Sequence, residues 1–342
     1  MGQKAIRHDG ESPLRANSSA RNMDSISVQS RQKRTPDERL VCLGHRDTSS
    51  LPNGLSVDVE DYYHVEAFAD HIRPEMWSQY PRRVADNTHR VLELFQEFGA
   101  RATFFVLGSV AEQEPALVRE ILSAGNEVGC HSHMHRRVST MTPKEFREDI
   151  RRARGAIEDA GGEKVLGYRA ATFSIVGKSL WAVEILAQEG FMYDSSVFPI
   201  RHDLYGMPGA PRFPFRWLCR DGGSLFEIPP LTVRVLGRNL PVAGGGSLRI
   251  LPMWYTRWAL RRIRQREGRP AVVYLHPWEL DPEQPRLSGT LKAKLRHYLN
   301  LGRMDRRVRE LLRTGQFVPL RSFLENHLAL GPLPAHHSGT IS

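Results

Sequence analysis

Three histidines stand within five residues, at His131, His133 and His135, directly after the stretch EVGC (127–130). Neutral imidazole is the commonest zinc ligand. His131 and His135 can face one centre if the turn between them is helical, and His131 and His133 can do so if it is extended. A second cluster, Asp58-Val59-Glu60-Asp61, ends another short stretch of apolar alternation. On a strand Asp58 and Glu60 share a face, and two carboxylates so close repel unless a cation or a proton lies between them. Arg169, in GYRAATF (167–173), carries a permanent charge able to orient a carboxylate. His276 follows AVVYL (271–275) and is a candidate general acid or base.

Each cluster alone has an ordinary reading, as a solvated strand end, a polar surface turn or a satisfied rim histidine. Together they describe one chemistry. Two histidines and a carboxylate form a facial ligand set with open positions. Water at such a metal becomes acidic enough to attack a carbonyl. A second carboxylate can take its proton, and a remote histidine can protonate the leaving amine. The reaction is hydrolysis of an amide or an ester.

The elements that would position these groups alternate. Residues 55–60, 102–107, 127–130, 165–169, 191–194, 225–228 and 271–276 read as strands. A helix is expected from about 84, with Val84, Thr88, Val91, Leu92, Phe95 and Phe98 on one stripe and Gly99 at its end. Further helices are expected over 115–124, 178–188, 254–267 and 291–312. Thr142-Pro143-Lys144-Glu145 predicts a capped helix running to about 160 and stopping at Gly161-Gly162. Strands alternating with helices from 51 to about 312 imply parallel βαβ units, in an open sheet or a barrel. In such folds catalytic groups gather at the C-terminal ends of strands, where all four clusters fall. Residues 1–50 are poor in large apolar side chains and are expected to be disordered, as is the tail 326–342. The domain is therefore placed at 51–325.

Several segments resemble the NodB-homology polysaccharide deacetylases, and especially the branch associated with bacterial exopolysaccharide and protein-sorting loci. They are SVDVEDYYHVEAF (56–68), EVGCHSHMHRRV (127–138), GYRAATFSI (167–175), YDSSVFP (193–199) and YLHPWELDPEQPR (274–286), with HYLNL (297–301) fitting the branch's C-terminal extension. The resemblance spans about 51–320. It implies a distorted (β/α) barrel, Zn²⁺ or another divalent ion, and removal of acetyl groups from an N-acetylated polysaccharide or oligosaccharide. Carried over, Asp58 resembles the catalytic base, and His131 and His135 resemble metal ligands, with Ser132 supporting one of them. Arg169 would hold Asp58, Asp194 would tune the acid, and His276 would be that acid. Most of the family has adjacent aspartates in the first motif, the second being the metal ligand. Here Val59 follows Asp58, so the metal carboxylate is Glu60 by strand alternation, or Asp61 if the strand bulges. Ala171 stands where the third motif usually has proline.

Composition sets the remaining expectations. Cys42, Cys130 and Cys219 form no paired motif, which argues against a zinc ribbon or a disulfide framework. No secretory leader is evident, so the cytoplasm is the expected location. The net charge of +10 is concentrated late in the chain, in RWALRRIRQREGR (257–269) and in 292–313. This reads as solvated helix faces or as contact with an anionic membrane surface. No nucleic-acid recognition motif is present. Trp217, Tyr255 and Trp278 are candidates to stack on sugar rings. The rival readings are a small-molecule amidohydrolase on the same fold and a non-catalytic basic module binding carbohydrate or an anionic surface.

Overall fold

In the computed structural model, residues 48–242 and 244–339 are described. The expected N-terminal extension lies almost wholly outside them. The chain runs β1 (Asn53–Val59), α1 (Val84–Glu97), β2 (Thr103–Val106), α2 (Gly108–Gln113), α3 (Pro115–Ser123), β3 (Glu127–Cys130), α4 (Pro143–Gly161), β4 (Gly167–Tyr168), α5 (Trp181–Gln188) and β5 (Tyr193–Asp194). There follow β6 (Phe215–Leu218), β7 (Ser224–Glu227), the hairpin β8 (Thr232–Val235) and β9 (Arg238–Pro241), α6 (Gly245–Ile250), α7 (Met253–Arg266) and β10 (Val272–Leu275). The chain ends with α8 (Leu291–Tyr298), α9 (Met304–Leu312), β11 (Phe317–Val318), α10 (Leu320–Ala329) and β12 (Ala335–His337).

The main sheet has the order β10-β1-β2-β3-β4-β5-β7-β6-β12, and β11 adds a short parallel pairing at the entrance of β1. All pairs from β10 to β7 are parallel, while β6 is antiparallel to β7. The sheet curls into a distorted barrel whose seam is not a ladder. Past β7 the chain passes through Pro229-Pro230, which offer no backbone N–H, and the β10 edge is met by a bond from Leu231 N to Val272 O (2.9 Å) and by an isolated parallel bridge between Gly244 and Tyr274. Both faces of β1 are buried. Leu55, Val57 and Val59 face the helices in the main core, whereas Ser56 and Asp58 face the lumen. The period-two pattern thus separates two buried environments rather than core from solvent. One end of the lumen is plugged by Phe105, Tyr193 and Val272 packed on Leu320, Phe323 and Leu324 of α10. Gly54 permits this approach, since a Cβ there would press on the Leu320 and Phe323 side chains.

The helix α4 forms as its sequence predicts. Thr142 and Glu145 close a reciprocal capping box, and Gly162 ends the helix at φ 74°. The span 291–312 divides into α8 and α9 around Asn300, whose φ of 61° breaks the helical path. The segment 326–342 is not a disordered tail over its described part. It contains the end of α10 and β12, which pairs with β6.

Candidate metal and catalytic centre

The loop after β3 does not take either of the two simple shapes. Ser132 and His135 both adopt left-handed backbone, at φ 66° and 51°, so the chain doubles back and brings His131 and His135 together without a helix. Their rings lie 5.3 Å apart. His133 turns away. Its backbone N–H donates to Asp149 Oδ2 (2.9 Å), and its side chain packs where a Cβ on Gly108 would stand. Ser132 Oγ meets Tyr168 Oη at 2.7 Å, so it is placed against the neighbouring strand rather than against a histidine ring.

Glu60, just past β1, completes the cluster. One ligand atom from each of Glu60, His131 and His135 lies within 4.8 Å of the others. Glu60 Oε1 accepts from Trp278 Nε1 (3.2 Å). Glu60 Oε2 is buried and has no directed hydrogen bond, although His135 Nε2 stands 2.8 Å away. An undirected buried lone pair beside an imidazole nitrogen is the arrangement that ligands of one ion adopt. His131 Nδ1 donates to the backbone carbonyl of Arg169 (2.8 Å), which leaves the lone pair on Nε2. Burial pushes His131 down to about 4, despite Asp58 and Glu60 nearby, so the ring is neutral and able to bind a cation. Burial works against the charge of Glu60, but His135, His276 and His131 outweigh it and hold the carboxyl well below its usual range. The donor set therefore fits a divalent ion such as Zn²⁺.

Asp61 is placed elsewhere. Its carboxylate accepts from the backbone N–H groups of Tyr62 (3.1 Å), Arg83 (2.8 Å) and Val84 (3.1 Å), at the N-terminus of α1. The strand does not bulge, and the residue set out as an alternative ligand is a helix cap. This separates the two acids experimentally. Glu60→Ala is expected to lose bound metal, measured by elemental analysis of the purified protein. Asp61→Ala should keep it and lose about 0.5–2 kcal/mol of stability. Full occupancy in the Glu60 variant would reverse the assignment.

Asp58 faces the same centre from within β1. Arg169 is fully buried and donates through Nη1 to Asp58 Oδ1 (2.7 Å) and Ser56 Oγ (2.8 Å), and through Nε to Ser195 O (3.0 Å). Its guanidinium lies over Phe105, 4.5 Å from the ring centre. Opposite Asp58, His276 Nε2 is 3.8 Å from Asp58 Oδ2 and 3.5 Å from Glu60 Oε1. Burial opposes its charge, but Glu279, Glu60 and Asp58 prevail and raise His276 to about 9. The surrounding carboxylates thus favour the protonated ring.

The carboxylate beside the His276 ring is not Asp194. Asp194 accepts from Ser196 Oγ and sits beside Glu227 across β5 and β7, whereas the carboxylate that meets His276 is Glu279, 3.3 Å from Nδ1. Glu279 is in turn paired with Arg249 from α6. Sequence reasoning passed over Glu279 and Arg249. The available signal was the i, i+3 spacing of His276 and Glu279 across a Pro-started turn. Trp278 was singled out for the wrong task. It is buried, stacked between His276 (5.2 Å) and His297 (4.4 Å). Trp217 is wholly buried against Glu227, and the Tyr255 hydroxyl donates to Pro241 O. The rings that do line a cavity are Tyr63, Trp77 and Tyr80. With His64, Arg82 and Met134 they border a space of about 440 Å³. His64 and Met134 carry that space up to the metal cluster, since His64 stacks 6.4 Å from His135.

Asp194 and Glu227 form a buried acid pair. Glu227 accepts from Val197 N (3.0 Å) and Trp217 Nε1 (3.3 Å), while Asp194 Oδ2 lacks a donor unless a proton is shared with Glu227. Burial raises Asp194 to about 6 and Glu227 well above the usual carboxylate range. A carboxyl raised in the fold stabilises fully below its ordinary value and loses that contribution as pH rises through the folded value. Glu227→Gln supplies a permanent donor. Its unfolding temperature should therefore gain on the wild type as pH rises above the ordinary carboxylate range. Parallel pH profiles in the two proteins would show that no proton is shared.

Residues 76–188 match the polysaccharide deacetylase family model. That stretch is similar to the polysaccharide deacetylases and holds His131, His135 and Arg169. Residues 195–325 match a second model, a domain of unknown function (DUF3473), and His276 and Glu279 lie in that part. A peptidoglycan deacetylase of Helicobacter pylori is 32% identical over 108 residues, covering 32% of this chain and 36% of that protein. A chitooligosaccharide deacetylase of a Bradyrhizobium strain is 29% identical over 100 residues, covering 29% of this chain and 43% of that protein. The chain thus spans less than half the length of these curated relatives. A Mycobacterium smegmatis crystal structure assigned to the polysaccharide deacetylases superposes with a TM-score of 0.54 at 19% identity, covering 83% of this chain and 93% of that one, and shares the fold.

Proposed function

We propose that the deacetylase domain removes N-acetyl groups from sugar residues of a polysaccharide or its lipid-linked precursor, in a metal-dependent reaction serving exopolysaccharide assembly. The observation that carries this reading is the convergence of Asp58, the Glu60–His131–His135 cluster and His276 in one buried centre. A divalent cation held by Glu60, His131 and His135 supplies Lewis acidity toward an acetyl carbonyl and toward water. The remaining steps belong to side chains. Asp58, fixed by Arg169, takes the proton of the attacking water. His276, held by Glu279, gives its proton to the departing sugar amine. The aromatic cavity beside His64 offers flat apolar faces and the polar rim of Arg82 to a pyranose ring.

The test is acetate release from a panel of N-acetylated glucosamine and galactosamine oligomers and of small N-acetyl amides, with and without chelator. Release from the oligomers that stops on chelation and returns with Zn²⁺ or Co²⁺ supports the reading. Preference for a small amide would favour the amidohydrolase alternative, and full activity in metal-free protein would remove the metal from the mechanism.

A further inference from the structure

The described residues leave ten large apolar side chains exposed, and eight of them fall between positions 236 and 299. Chance scatter over the surface would spread them along the chain. They lie on elements that touch. The Tyr255 hydroxyl ties α7 to the hairpin by donating to Pro241 O (3.0 Å), and its ring neighbours both Trp254 and Trp258. Asn300 Nδ2 donates to Arg249 O (3.0 Å), which joins the end of α6 to the segment that follows α8. The exposed Leu236 and Leu240 of the hairpin and Trp254 and Trp258, one turn apart on α7, thus sit on elements in direct contact.

The hairpin tip is the most telling part. Val235 pairs with Arg238, so Leu236 and Gly237 make a two-residue turn, with φ of 47° and 78°. The first position of such a turn favours Asn, Asp or Gly, because a side chain there crowds the backbone. Leucine in this place is conformationally disfavoured, and it is also 98% exposed. Neither the turn nor the core gains from it.

Charge identifies the partner. From 234 to 266 the sequence has eight arginines and no acidic residue. Arg249, Arg257 and Arg264 are engaged with Glu279, Glu310 and Asn53, while Arg234 and Arg238 flank the exposed leucine. On α7 the guanidinium of Arg262 lies over the Trp258 ring at 5.8 Å, and Trp254, 64% exposed, stands one turn earlier. Exposed tryptophan and leucine inside an arginine rim suit the headgroup zone of an anionic bilayer, where apolar groups enter and guanidinium groups stay at the phosphates. Among the described residues no helix is long and apolar enough to cross a membrane. We propose that the face formed by the β8–β9 hairpin, α7 and the end of α6 docks peripherally on an anionic lipid surface. Arg249 reaches inward from α6 to Glu279, so docking seats the catalytic side of the barrel close to a lipid-linked chain.

The experiment is co-sedimentation of the full chain with vesicles of phosphatidylcholine alone or mixed with phosphatidylglycerol, at low and high salt. Binding should require the anionic lipid and weaken with salt. Leu236→Asp, or Trp254→Ser with Trp258→Ser, should lower the partition coefficient by about tenfold or more. Arg238→Gln should lower it by about fivefold. Unfolding temperatures near the wild-type value exclude damage to the fold, and this readout does not depend on any deacetylase activity. Absence of binding to anionic vesicles would overturn the proposal. So would retention of dextran sulfate binding without vesicle binding, or burial of the face in a stable dimer on light scattering.

Discussion

His276→Ala is expected to slow acetate release from N-acetylglucosamine oligomers by about 10²–10⁴-fold, the usual contribution of a general acid. An amine cannot leave an amide without a proton, and His276 is the imidazole facing Asp58 across the centre, its protonated form favoured by the surrounding carboxylates. An activated aryl acetate releases a stable phenolate and needs no such proton. Its hydrolysis should therefore fall far less in the same variant, while metal content stays constant. Equal losses on both substrates would reassign His276 to packing, and loss of metal would make it a ligand. Glu279→Gln provides the companion measurement. It keeps the shape beside Nδ1 but removes the charge, so it should shift the alkaline limb of the rate profile downward in pH rather than abolish the rate.

Arg169→Met should give the largest loss of stability, about 3–5 kcal/mol, because it leaves the Asp58 carboxylate buried without its counter-charge. For a chain of this size that is roughly 4–8 °C in unfolding temperature. Methionine fills much of the space under Phe105, so a cavity is not the main cost. The double variant Arg169→Met, Asp58→Asn should recover a substantial part of the loss, since the uncompensated charge is gone. If the double variant is as unstable as the single one, the deficit lies in the lost bonds to Ser56 and Ser195 instead. Lysine at position 169 should not substitute, because a single ammonium cannot serve Asp58, Ser56 and Ser195 in their separate directions.

Much of this architecture was legible. The strand 127–130 and the capping box of α4 were readable from local patterns, since Thr142, Pro143 and Glu145 each act on their own backbone. Local rules could also place Asp58 and Glu60 on one face, but not tell that this face looks into a lumen. The meeting of His131 and His135 depends on two residues in left-handed backbone, Ser132 and His135, and neither residue type announces it. Asp61 stood as the alternative ligand because the resembling motif carries a second aspartate that a bulge could bring into place; its partners include the N–H groups of Arg83 and Val84, more than twenty positions away. The β8–β9 hairpin went unread because its turn lacks the Asn-Gly signal. The expectation that Asp194 tunes the acid failed for a related reason. Position along the chain gave no measure of which buried carboxylate, Asp194 or Glu279, lies across from Nδ1.

Arg169 joins the two halves of the centre in a way that affects their tolerance to motion. Its carbonyl fixes the His131 ring, and its guanidinium fixes Asp58. A ligand and the base are therefore tethered to one residue, within the span of a single amino acid. When the barrel wall breathes, that residue carries both groups with it, and their separation changes less than the displacement of either. The spacing of the two groups is thus referenced to one internal residue rather than to the circumference of the sheet.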